Sequence, residues 1–135
     1  MADEDYWSRL ASAVAAGSLV VDRPKGSAHP EVPELIYPLD YGYVTGLRSG
    51  DGDPVDVWMG SLKRRVITGV VCTVDVGKRD LEVKILLGCT RAEQRRVLSL
   101  HNRGSHRAVL IRAESSNGSA RRTGKTGRAR RGSSR

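Results

Sequence analysis

The chain has 135 residues, 39% of them hydrophobic and 28% charged, which leaves room for one domain with a modest core. No run approaches the ~20 apolar residues that span a bilayer, and the acidic start MADEDYWSRL has no apolar signal segment, so a cytoplasmic protein is expected. The net charge of +8 points to a nucleic-acid partner only until it is located: seven basic residues and no acid lie between Gly118 and Arg135, leaving 16 basic against 15 acidic residues elsewhere. The basicity belongs to a tail suited to nonspecific, salt-sensitive phosphate contact. It carries no aromatic residue to stack on bases.

Trp7, Leu10, Ala11, Val14 and Ala15 recur at helical spacing between about Asp5 and Ala16, and Gly17 supplies a stop. Residues 1–18 therefore form an N-terminal helix. Leu19–Val21 reads as a short strand, after which Pro24, Pro30 and Pro33 interrupt regular structure as far as Leu35. Ile36–Val44 is extended and rich in tyrosine, with Pro38 confining it to an edge or irregular strand. A turn at RSGDGDP precedes a strand over Val55–Gly60. The β-branched run Val66–Val76 is another strand, Gly77–Arg79 a turn, and Leu81–Leu87 the returning strand. In that last strand Leu81, Val83 and Ile85 face one way, and Glu82 and Lys84 the other.

Thr90 with Glu93 forms a capping box that opens a helix running to about Leu100. Arg107–Ala113 is read as either a final strand or a disordered stretch. Residues 19–112 then make one small, mainly-β domain, a closed or partly open β-barrel with one or two flanking helices. Residues 113–135, rich in Gly, Ser and Arg, cannot bury enough apolar surface to fold alone. Cys72 and Cys89 sit in apolar runs and read as buried thiols. His101 and His106 read as surface residues of a helix end and a loop.

The chemistry is concentrated in GDGDPVDVW, where Asp51, Asp53 and Asp56 occur within six residues. Carboxylates so close repel unless a positive group sits among them, and a hard divalent cation with oxygen ligands is the usual one. Turn formation alone also explains aspartates among Gly and Pro. Asp75 and Asp80 flank the next turn, so a hairpin brings them together, and five aspartates are expected around one pocket. Lys84 lies on the face of Asp80 and offers a positive charge to a phosphate. Tyr37, Tyr41 and Tyr43 are three of only four tyrosines in a chain without Phe. They either fill the core or present hydroxyls to an anion.

YPLDYGY followed by DGDPVDV resembles the soluble magnesium-dependent inorganic pyrophosphatases. VDRPKGS, with Asp22 where the family usually has Glu, and the aspartates five apart at Asp75 and Asp80 are similar to that family as well. The resemblance covers residues 20 to about 88 and implies an OB-like barrel that hydrolyses pyrophosphate with Mg²⁺, or Mn²⁺ as the alternative. It implies that Asp51, Asp56 and Asp80 hold the first metal, that Asp56 also reaches a second, and that Asp75 with Asp80 serves the metal arriving with substrate. Asp53 would be the base, Tyr41 would bind phosphate with Tyr37 in support, and Lys84 and Lys25 would bind substrate. Asp22 would contact metal-bound water. It further implies a homo-oligomer. The chain departs from the family in lacking the hairpin between Pro24 and Tyr37, and in having Asn102 and Arg103 where a Tyr-Lys pair is usual. The alternative reading is an inactive relative with a binding or assembly role.

Overall fold

The structure, a computed structural model, describes residues 2–113, so the expected tail falls outside them apart from Ala113. The chain opens with α1 (Ala2–Ala15) and lays down six strands: β1 (Leu19–Arg23), β2 (Asp40–Arg48), β3 (Pro54–Met59), β4 (Ile67–Asp75), β5 (Asp80–Leu87) and β6 (His106–Arg112). The second helix, α2 (Arg91–Leu100), lies between β5 and β6.

All six strands form one sheet in the order β1-β2-β3-β5-β4-β6. The sheet does not close, because β1 and β6 are left as edges. It consists of two antiparallel halves, β1-β2-β3 and β5-β4-β6, joined by one parallel pairing that sets Val57 beside Ile85 and Met59 beside Leu87.

Local chemistry accounts for most of the elements. The β-branched run becomes β4, which is paired with both β5 and β6 and buried along most of its length. Pro38 does not confine β2 to an edge, because it stands before the strand, which begins at Asp40 and pairs on both sides. Within β2, a Cβ on Gly42 would collide with the carbonyl of Val20, so the close approach of β1 and β2 requires glycine there. At α2 the Thr90 hydroxyl accepts from the Glu93 N–H at 3.1 Å, and the Glu93 carboxylate accepts from the Thr90 N–H at 2.8 Å. Arg107–Ala113 resolves as the strand β6.

Alternation along the strands gives the sheet two cores. Trp7 and Val14 of α1 cover Val44, Val57, Met59, Val70, Ile85 and Leu87 on one face. Val97 of α2 packs with Tyr37, Leu39, Trp58, Val71, Leu86 and Cys89 on the other. Each fully buried aliphatic side chain contributes about 1.5–3 kcal/mol of transfer free energy. Beyond α1 the first face is open: Leu81 is 80% exposed, Val109 61%, Ile111 49% and Val83 46%. Only Ile85 of the expected apolar trio in β5 belongs to the core. Cys72, on the same open region, is half-buried rather than buried. Cys89 is fully enclosed, and burial pushes its thiol up to about 12. Among the described residues no helix is long and apolar enough to cross a membrane.

Candidate active site

On the α2 face, where the two halves of the sheet meet, lies a cleft of about 350 Å³. Tyr37, Tyr41 and Trp58 line it together with Asp56, Asp75, Asp80, Glu82 and Lys84. The register explains the grouping. Asp56 precedes the Val57–Ile85 pair, so it lies alongside Lys84 across the parallel joint. Asp75 pairs directly with Asp80 in the β4–β5 hairpin and with His106 on β6.

Lys84 is the hub. Its Nζ donates to Glu82 at 2.6 Å, to Asp56 Oδ2 at 3.0 Å and to the Tyr41 hydroxyl at 3.1 Å. Tyr41 in turn donates to Asp56 Oδ2 at 2.6 Å. Burial alone would push the Lys84 ammonium down, but the Tyr41 and Asp56 oxygens outweigh it and hold the group protonated. Burial also raises the Tyr41 phenol, with the Asp56 charge adding to it, so Tyr41 remains a donor. Asp75 is fixed as a carboxylate chiefly by the Ser105 hydroxyl at 2.7 Å, with the Gly77 N–H at 2.9 Å and His106 Nε2 at 2.8 Å. Asp80 makes no side-chain hydrogen bond or ion pair among the described residues.

The structure brings together Asp56, Asp75, Asp80, Lys84, Tyr37 and Tyr41. Asp51 and Asp53 instead line a larger hollow of about 830 Å³ toward α1, together with Asp22 and Tyr43. Asp56, Thr73 and Glu82 line both hollows and form the wall between them. The five aspartates therefore divide into two groups that share Asp56, rather than surrounding one pocket. Asp51 is drawn into its own turn, where the Ser49 hydroxyl and the Asp53 N–H bind its Oδ1 and lower its pKa. Lys25 lines neither hollow; its backbone N–H donates to Asp40 at 2.8 Å.

Several cleft residues escaped the sequence reading. A bulge in β1 makes Asp22 the extra residue, so Arg23 stands opposite Tyr41 and donates to the Tyr37 hydroxyl at 3.0 Å. A bulge leaves no mark in the hydrophobic pattern. Glu82 carried a readable signal, since it shares the face of Lys84. His101 is no simple surface residue: it is partly buried and accepts from the Trp58 indole at 3.1 Å. Asn102 is committed to joining α2 to β6, through Leu98 O at 2.9 Å and the Ala108 N–H at 3.1 Å.

The donor set has the right chemistry for a hard divalent cation: four carboxylates and no thiol line the cleft. As they stand, no three such groups among the described residues are close enough to hold one ion.

No family model and no curated protein matches the chain. Among solved structures it is similar to an inorganic pyrophosphatase from Neisseria gonorrhoeae, at 18% identity and a TM-score of 0.54, with 71% of this chain and 82% of that chain covered. The fold is pyrophosphatase-like. Mainly β, partly open and OB-like, it agrees with the architecture that the sequence motifs imply.

Proposed function

We propose that the chain hydrolyses inorganic pyrophosphate in the α2-face cleft. The observation that carries the reading is the Tyr41–Asp56–Lys84 cluster, two donors and a carboxylate held across the parallel joint of a pyrophosphatase-like sheet. Asp56, Asp75 and Asp80 would hold Mg²⁺, or Mn²⁺ in its place, with Asp51 a further ligand from the turn beyond Asp56. A bound divalent cation supplies a water of lowered pKa and neutralises charge on the phosphates. The chain supplies the rest. Lys84 and Arg23 orient phosphate oxygens by charge, and Tyr41 donates a neutral hydrogen bond at the joint. Asp53, which lines the hollow on the other side of Asp56 and makes no side-chain hydrogen bond among the described residues, is assigned the proton released by the attacking water on the strength of the sequence resemblance. Asp22 and Lys25 are assigned to the outer water shell and to substrate approach.

The test is phosphate release from pyrophosphate with Mg²⁺, then with EDTA, beside Asp56→Ala and Asp53→Asn. Metal-dependent release that falls at least about 100-fold in both variants, with folding intact, supports the reading. Full activity in Asp53→Asn removes it as the base. No release by folded protein with any divalent metal favours the second reading, a pyrophosphatase-like protein that binds or assembles without turnover. That second reading draws on one observation, the division of the aspartates between two hollows. In either case we infer a homo-oligomer, for which exposed Leu81, Val83, Val109 and Ile111 provide an apolar surface.

A further inference from the structure

His101 ends α2 and lines the cleft beside Tyr41, Asp56 and Lys84. The Trp58 indole is a donor only, so its 3.1 Å bond to His101 Nε2 makes that nitrogen an acceptor. A neutral imidazole carries one proton, which must then sit on Nδ1. No acceptor among the described residues meets Nδ1. The ring is partly buried at the cleft, and an N–H there without a protein partner is one that a bound ligand can satisfy. The ring is also held in place. Trp58 is fully buried and packed against Tyr37 and Tyr41, so its indole sets the direction of the imidazole as well as its tautomer. Asn102, the adjacent residue, is tied between α2 and β6 and leaves His101 to enter the cleft from this segment.

We propose that His101 is a substrate-binding residue, donating its Nδ1–H to a phosphate oxygen of the anion held by Lys84. The inference rests on the cleft being the pyrophosphate site. It adds a second neutral donor beside Tyr41, from α2, where the sequence resemblance assigns none. A neutral donor recognises a phosphate oxygen without the ionic-strength dependence of a lysine contact, and a fixed tautomer needs no rearrangement when the anion arrives.

Nitrogen-detected spectra of histidine-labelled full-length protein, titrated with inorganic phosphate, read the claim directly. The expected result is a protonated Nδ1 on His101 whose resonance moves saturably with phosphate, and an Nε2 that stays unprotonated throughout. Kinetics with pyrophosphate supply the second arm: His101→Leu should raise KM about 10- to 100-fold with a smaller effect on kcat. His101→Gln, able to accept from Trp58 and still donate, should recover most of the loss. A proton on Nε2, or an Nδ1 resonance indifferent to saturating phosphate, overturns the inference. So does a wild-type KM in His101→Leu. If the wild-type protein turns over pyrophosphate while any of these holds, the proposed function survives and only the role of His101 falls. If turnover is absent but phosphate shifts Nδ1, the anion site stands without the hydrolysis.

Discussion

Burial sets the protonation of His101 before any ligand is present. Removal from water, with the Lys84 and His106 charges adding, draws its pKa down from 6.5 to about 4. The sign of the linkage follows. Above about pH 6.5 neither folded nor unfolded chain binds a proton there, and the full stability is present. Between about pH 6.5 and 4 the unfolded chain takes up a proton that the folded chain refuses, so stability falls as pH falls; below about 4 this slope ends. The loss is of the order of 3 kcal/mol. Urea unfolding at a series of pH values should show this loss in the wild type and a shallower slope in His101→Gln; equal slopes would refute the assignment. Residues of this kind were the least legible in the sequence. Asp56, Tyr41 and Lys84 stood out because charge and spacing single them out, whereas His101 needed a partner 43 positions away, Trp58, to acquire a role. Arg23 was hidden for a different reason, since a single extra residue in β1 reverses the face that simple alternation assigns.

The elements themselves were largely readable, because short-range chemistry determines them. The capping box at α2 is an example: Thr90 and Glu93 exchange two hydrogen bonds, and Glu93 also accepts from the Ser61 N–H at 3.1 Å, tying the helix start to the end of β3. Thr90→Ala should cost about 1 kcal/mol in chemical denaturation. Glu93→Ala should cost more, because it releases Ser61 as well. Equal losses would mean that the Ser61 contact contributes nothing to stability. The Leu81–Leu87 segment shows where pattern ran out. Its alternation correctly separated Glu82 and Lys84 from the apolar residues, but burial depends on what lies above the strand. The first helix reaches Ile85 and stops short of Leu81 and Val83.

At the scale of the whole molecule, that short reach leaves an apolar area on the α1 face running from β5 across β4 to β6. The 22 residues after Ala113 contain no Val, Leu, Ile, Met or aromatic side chain with which to cover it. Light scattering after gel filtration should therefore give a mass above that of one chain, and Leu81→Lys with Val109→Lys should lower it without loss of folding. A wild-type monomer at every concentration tested would reject self-association. Fold class was legible because a run of short strands is flanked by only one or two helices; the pairing of β3 with β5 was not, since those strands stand 21 positions apart and no local signal links them.

That pairing also has a consequence for how the protein matures. Each half of the sheet is a chain of antiparallel neighbours, while the joint requires closure across the whole β4 excursion. Long-range closures are slow steps in folding. Asp56 and Trp58 come from one side of the joint, and Lys84 and His101 from the other. The chemistry is thus withheld until the two halves have joined, so a protein whose halves have formed separately has secondary structure but no means of gripping a phosphate.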